Sequence, residues 1–496
     1  MHHKLQQLVT NKHQVLLHMI AYISEEERWY SVQEISQEIG LVERSVQRYT
    51  QLLYDLIAEC NEANQSYFVL QMKKNRGVKL LIKQPTNVQC LTVHIYESDN
   101  TVKLLIDLLF GSYNSTQEYV RKKDLNAHSV RQSLSKIKAF LHTVELDVSV
   151  SGFRLLGDES QIRMIGYSLS WMLFQSEPWP EAFHKVDPFK INSAIDSLIT
   201  TLHLDISHVR KRKLSYMVAI NILRLRRGET VCYRADWEPY VPVDNMFELN
   251  KAVENLYQTF HIYSHEEVRF LVLNIMMKSF VYKVPHFKKK ILENHRSTES
   301  DVLTLTNLAM REFDEKMCPI IPEDYESIYL YLFRSHLSAK VYKQADFDYS
   351  GHSFMDSIYA DFVNYHERMT AFIHQLWLIS QNSLFLEERY LIQVYIMVVS
   401  YTQMSLIFEP PLKISLQTDL SDIHEMRIRE FICEQFKNNF NLKFLETDHS
   451  QIPDLILTNL TTNIVANSTM VIDYPLSHRD LFNLKTTLSK LKKQTT

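Results

Sequence analysis

Apolar positions recur at three- and four-residue spacing along most of the chain and alternate only in short runs. Helices are therefore expected to dominate, with a few small strands. The clearest block is 31–57, SVQEISQEIGLVERSVQRYTQLLYDLI. Ser31 is placed to cap a helix, and Glu34, three residues on, to bond back to the Ser31 amide. Val32, Ile35 and Ile39 follow at helical spacing, and Gly40 supplies a residue that can take positive φ where the helix stops. After Leu41 a second stripe begins: Val46, Tyr49, Leu53, Leu56 and Ile57. The pattern predicts a helix, a tight turn and a longer helix. Between the apolar positions of that second helix lie Arg44, Ser45, Gln47, Arg48 and Gln51.

The block is repeated 84 positions later as 115–141, STQEYVRKKDLNAHSVRQSLSKIKAFL. Ser115 falls on Ser31, Glu118 on Glu34, Leu125 on Leu41, Ser129 on Ser45 and Val130 on Val46; Asp124 stands at the turn where Gly40 stood. Each copy runs into a β-rich hairpin. The first, Tyr67–Ile82, turns at Lys73, Lys74, Arg76 and Gly77; the second, Leu146–Leu156, turns at Ser151–Gly152. A helix-turn-helix with a following hairpin is a winged helix, whose second helix fits a major groove while the wing lies on the backbone of the duplex. Arg44, Ser45, Gln47 and Arg48 in the first copy, and Ser129, Arg131, Gln132 and Lys136 in the second, are therefore candidate contacts to base edges and phosphates. Lys73, Lys74 and Arg76 are candidate phosphate contacts on the wing.

The stripe Val15, Leu16, Met19, Ile20 and Ile23 opens the first winged helix, assigned to 1–84, and Gln84-Pro85-Thr86 marks the break. The second, 85–158, opens with Val102–Phe110, and a new helix is expected near Ser160. The prolines Pro178, Pro180 and Pro188 make 176–189 an expected irregular loop. From about 160 to 400 the pattern is helical in two similar halves, 159–288 and 289–404. Each has a long helix ending on a basic residue (Arg224, Lys343), followed later by a helix opened by a Glu-Glu pair, Glu266-Glu267 and Glu387-Glu388. In 405–496, strands expected at 413–416, 442–445, 454–457 and 470–472 alternate with helices at 420–440 and 477–491. That order predicts a small α/β domain with a mainly parallel sheet.

A net charge of −4 excludes a chain coated in positive charge, so any duplex contact has to localise it. Two segments do so: Lys73, Lys74, Arg76, Lys79 and Lys83, and Arg121, Lys122, Lys123, Arg131, Lys136 and Lys138. Runs this dense are more often simply a solvated face, but these fall on the wing and the second helix. The five cysteines are scattered and contain no C-x-x-C, which fits a reducing cytosol and gives neither a disulfide framework nor a zinc site. The eight glycines are dispersed, so no phosphate-cradling loop is present. No metalloprotease, serine-hydrolase or kinase signature occurs, and an enzyme, a cofactor and a metal are not expected. The N-terminus has no apolar core of a signal peptide, and the longest apolar run, Tyr390–Tyr401, is too short for a membrane span, so a cytoplasmic location is expected.

Two winged helices, two helical bundles and an α/β tail, with the junction Gly157-Asp158-Glu159-x-x-Ile162-Arg163, resemble the Mga/AtxA family of virulence-type transcription regulators of Gram-positive bacteria. The resemblance covers essentially the whole chain. It implies a mainly α multidomain protein with two N-terminal winged helix-turn-helix domains, two helical PTS-regulation-domain-like bundles and a small C-terminal α/β domain resembling phosphotransferase enzyme IIB. It implies a regulator that binds double-stranded DNA, a homodimer held through its C-terminal domains, and phosphorylation of bundle histidines by HPr or another phosphocarrier. The family's four acceptor positions fall on Met217, Asn274, His336 and Tyr395, so His336 is the phosphorylation candidate; His203, His208, His366 and His374 are other imidazoles nearby. The cysteine that an enzyme IIB places after its first strand is missing from Gln417-Thr418-Asp419-Leu420, and Cys433 falls inside a helix. The tail is accordingly read as a structural or dimerising module. A second reading is a signalling or scaffold protein whose winged helices bind protein partners.

Overall fold

The computed structural model describes residues 2–64, 68–83, 86–174, 179–242, 247–343, 363–402, 410–437, 439–445, 452–460 and 469–495. The chain divides into two compact units, 1–303 with 336–353, and 304–335 with 354–496.

In the first unit, α1 (His2–Leu8) and α2 (Asn11–Ile23) precede α3 (Val32–Ile39) and α4 (Glu43–Asn64), and the antiparallel pair β1 (Phe68–Lys73) and β2 (Gly77–Ile82) completes the first module. The capping box forms as the residues demand: the Glu34 amide donates to Ser31 Oγ (3.1 Å) and the Ser31 amide to Glu34 Oε2 (2.7 Å). Gly40 takes the left-handed conformation at φ 71°. The second module has α5 (Val88–Ser98), α6 (Asn100–Phe110), α7 (Thr116–Lys123), α8 (Ala127–His142) and the short antiparallel pair β3 (Asp147–Ser149) and β4 (Arg154–Leu156). Ser115 caps α7, Asp124 is left-handed at φ 50°, and α8 begins 84 residues after α4. The sequence repeat is therefore a structural repeat in register. Ile35, Val46, Leu53 and Ile57 form the buried stripe of one copy, and Tyr119, Val130, Ile137 and Leu141 that of the other.

Tyr30 adds a third strand position to the first hairpin. Its amide donates to Val78 O (2.8 Å), and the Val78 amide donates back (2.9 Å). Gly77 makes this approach possible: φ is +93°, and a Cβ there would lie 1.9 Å from Tyr30 O. α1 belongs spatially to the other module, packing on α6 and α8.

The helical bundle of this unit comprises α9 (Glu159–Leu173), α10 (Pro188–Thr201), α11 (His208–Arg226), α12 (Phe247–Gln258), α13 (His265–Met276) and α14 (Pro285–Ser297). Every residue of α9 is buried, including Glu159 and Arg163. The charges are satisfied together. Arg163 donates to Glu159 Oε1 (3.0 Å) and to both Glu267 oxygens (2.5 and 2.9 Å), while Arg224 donates to both Glu159 oxygens (2.8 and 2.6 Å). The Val231 amide donates to Glu267 as well (2.9 Å). The irregular stretch before α10 ends two residues earlier than the expected 189, because Pro188 is the first helical residue, where its fixed φ and missing N–H suit the helix start.

The second unit takes the chain from Thr304 and holds α17 (Val363–Ser380) and α18 (Glu388–Tyr401), with most of α15 (Asp301–Lys316) and the first part of α16 (Pro322–Val341). Phe313, Phe372 and Tyr395 meet in one aromatic cluster, with ring centroids 5.4 to 6.2 Å apart. Next come β5 (Leu412–Leu416), α19 (Asp422–Phe436), β6 (Leu442–Phe444), β7 (Leu455–Thr458), β8 (Thr469–Val471) and α20 (His478–Thr495). All strand pairs of this sheet are parallel, in the order β6-β5-β7-β8, over a core of Ile414, Leu457, Ile432 and Leu484. Among the described residues no helix is long and apolar enough to cross a membrane.

Substituting Gly77→Ala is expected to force the Tyr30–Val78 pair apart at a cost of about 1–3 kcal/mol, visible as faster hydrogen exchange at those two amides. Glu267→Ala leaves Arg163 buried without one of its counter-charges, an expected loss of about 3–5 kcal/mol. It should speed exchange in α9 and α13 and leave the β5–β8 sheet unchanged.

Candidate nucleic-acid interface

Arg44, Gln47 and Arg48 are exposed on the opening turns of α4, and Ser45 is half-buried between them. The turn holds them there: Val46 and Thr50 face inward, so the residues flanking them point away from the core. The Arg48 guanidinium lies 5.1 Å from the centroid of the Tyr49 ring, a contact that stiffens it without neutralising it. Lys73, Lys74 and Arg76 are exposed at the β1–β2 turn. Lys79, expected to share that patch, pairs with Glu27 at 2.9 Å.

The second module is different. Ser129, Arg131 and Gln132 are exposed on α8, with Gln132 Nε2 3.0 Å from His128 Nε2, and Asn126 caps the helix. Lys136 is not available to a duplex, because its Nζ donates to Val9 O (3.0 Å) beyond the end of α1. The expected cationic segment is also largely neutralised from within: Lys122 pairs with Glu118 (2.7 Å), Lys123 with Asp107 (3.4 Å) and Lys138 with Asp147 (3.4 Å). Arg121 and Arg131 remain as its exposed cations without such a pair. The positive charge of the candidate interface is thus concentrated on the first module.

Asp99 joins the two modules. Its buried carboxylate caps α6 by accepting from the Thr101 amide (2.7 Å). It also accepts from the Thr10 amide (2.9 Å) and from His13 Nδ1 (2.7 Å) at the start of α2. Burial alone would push the carboxyl pKa up, but these donors outweigh it and hold the pKa at about 2. Sequence reading overlooked this residue. The signal for it was an Asp three residues ahead of the apolar run Val102–Phe110, the position of a helix cap.

Residues 85–169 match the family model of the Mga helix-turn-helix domain, a span that begins ahead of α5 and ends inside α9. Over 294 residues the chain is 22% identical to the anthrax toxin expression trans-acting positive regulator of Bacillus anthracis, covering 58% of this chain and 59% of that protein. Over 321 residues it is 20% identical to the capsule synthesis positive regulator AcpB of Bacillus anthracis, covering 63% and 64% respectively. The chain thus spans about three-fifths of the length of these curated relatives. A Mga helix-turn-helix domain thus lies within 85–169, and the rest of the likeness is to regulators of the Mga/AtxA type.

The four positions that the family resemblance gives to acceptor histidines are all buried here. Met217 lies in the core, and Tyr395 fills the aromatic cluster with Phe313 and Phe372. Asn274 donates to Phe270 O (2.8 Å) and accepts from the Tyr342 hydroxyl. His336 has no exposed surface, and burial pushes its pKa down to about 3. His203, His208 and His374 are exposed, and His366 is half-buried.

His336 is expected to resist diethylpyrocarbonate while His203, His208 and His374 react, as read by peptide mass spectrometry. Its folded pKa lies below the unfolded value of about 6.5, so unfolding takes up a proton below that pH. Its contribution to stability is complete above about pH 6.5 and is lost as pH falls toward 3, at up to about 1.4 kcal/mol per pH unit. The pH dependence of denaturation midpoints should flatten by that amount in His336→Gln.

Proposed function

We propose that the chain is a DNA-binding transcription regulator that reads double-stranded DNA through its two winged helices. The observation that carries this reading is the free cationic surface of the first module. Arg44 and Arg48 with Gln47 face outward from the second helix of a capped helix-turn-helix, and Lys73, Lys74 and Arg76 extend from its wing. Groove-facing guanidinium and amide groups supply base readout, and the wing supplies phosphate contacts. Arg131, Ser129 and Gln132 give the second module a smaller set of the same chemistry. The relatives named above are both positive regulators by name.

The two bundles would act as PTS-regulation-like domains and the parallel-sheet tail as an enzyme IIB-like dimerising module, giving a homodimer. Phosphoryl control by HPr or a similar carrier would need an accessible imidazole. His336 would accept a phosphoryl group only after its helix opens, which leaves exposed imidazoles such as His374 as the accessible alternatives.

The test uses duplexes selected from a random pool by the full chain. Arg44→Ala with Arg48→Ala should cost about tenfold or more in affinity with an unchanged circular dichroism spectrum. Replacing Lys73, Lys74 and Arg76 by Ala should reduce the slope of log affinity against log salt by about 2 to 3. Unaltered binding in the arginine variant counts against the reading, and association that ignores salt favours a scaffold that binds protein partners.

A further inference from the structure

The two modules are not beads on a linker. Three ties converge where they meet, and all of them involve α6 or α8. Asp99 receives the Thr10 amide and His13 Nδ1 from the first module's leading segment. Lys136, on α8, donates to Val9 O. Thr101 Oγ1, on the second residue of α6, lies 3.0 Å from Ser133 Oγ on α8, which fastens the Asp99-bearing helix to the candidate recognition helix of the second module. α1 is seated against α6 and α8, while α2 and α4 pack on α5. Leu5, Leu8 and Val9 are buried in this joint. A carboxylate with no exposed surface that accepts from three donors on two modules has one arrangement in which all of them are satisfied.

We propose that Asp99 is a positioning residue: by holding residues 9–13 against α6 and α8, it fixes the spacing and relative rotation of α4 and α8, and with them the separation of the two duplex segments the protein reads. The inference rests on the DNA-binding reading above and adds to it. Two modules held rigidly at one spacing bind two correctly spaced segments far more tightly than either alone, and lose that gain when the spacing is wrong. The ligand class is accordingly a duplex with two contact segments at fixed helical phase. Lys136 and His13 act in the same joint, which gives Lys136 a role other than the phosphate contact expected from its place on α8.

The experiment has two readouts on the full chain. Exposed Gln51 on α4 and Ala139 on α8 are changed to Cys and spin-labelled, with the exposed Cys90 and Cys232 changed to Ser. Electron–electron resonance then gives the α4–α8 distance distribution. Separately, unlabelled protein is titrated with its best duplex from a random pool and with the same duplex carrying five extra base pairs between the two protected segments, about half a helical turn. Wild type should give a narrow distribution and about a hundredfold weaker binding to the lengthened duplex. Asp99→Ala should broaden the distribution and reduce that penalty to about tenfold or less. Because Asp99 also caps α6, a second variant, His13→Ala with Lys136→Met, leaves the cap in place and should shift both readouts the same way. Distances and spacing penalty unchanged in both folded variants overturn the proposal. A broadened distribution in a protein whose wild type selects no duplex overturns the DNA reading, and with it the proposal.

Discussion

Four charges buried beside one another dictate how the first unit is assembled. Glu159 and Arg163 on α9, Arg224 on α11 and Glu267 on α13 form an alternating chain in which each carboxylate meets an arginine. Taking each such ion out of water costs several kcal/mol, recovered only if every partner is in place. The apolar surface cannot set this alignment. A helix buried on every side, as α9 is, has no hydrophobic face to choose its rotation. The ionic network supplies that choice, because only one rotation of α9 brings Glu159 to Arg224 and Arg163 to Glu267 together.

The same network reaches out of the bundle. Arg224 also donates to Leu109 O (3.2 Å) and Arg227 to Leu108 O (3.0 Å). Those carbonyls belong to the last turn of α6, which has no intrahelical donors for them. α6 is therefore capped at both ends: by arginines of the bundle at its C-terminus and by its own Asp99 at its N-terminus. A displacement of α11 has a direct route to the joint between the winged modules, through a rigid helix about 16 Å long at 1.5 Å per residue. α6 is thus touched both by the bundle and by the first winged module.

What was legible in the sequence was local. The Ser31 and Ser115 caps, the turns at Gly40 and Asp124, and the apolar stripes after them all depend on residues within one or two turns of each other. Their repetition at a fixed offset survived folding unchanged. The strands of the C-terminal unit were legible for the same reason, each a short β-rich run between turn residues. Long-range partnerships were not. Nothing near Lys136 in sequence indicates Val9, and nothing near Lys123 or Lys138 indicates Asp107 or Asp147, so a run of six cations read as one patch loses three of its members to partners brought in by the fold. The junction around Glu159 and Arg163 stood out as a motif, but its reason lay 65 and 104 residues away, in Arg224 and Glu267.

The bundle chemistry separates frame from function along a single helix. Glu267 and Asn274 sit seven residues apart on α13, both buried, in the positions of a Glu and an acceptor His in the resembling signature. Glu267 anchors Arg163, so the glutamate is required by the fold whether or not any phosphoryl chemistry takes place. Asn274 spends its amide on Phe270 O and its carbonyl on the Tyr342 hydroxyl, so this position is held by core hydrogen bonds. A glutamate retained for packing therefore says little about whether its companion site still works. All four positions that the resemblance assigns to acceptors, Met217, Asn274, His336 and Tyr395, are buried in the core. The arginines that cap α6 are where this bundle meets the winged-helix half.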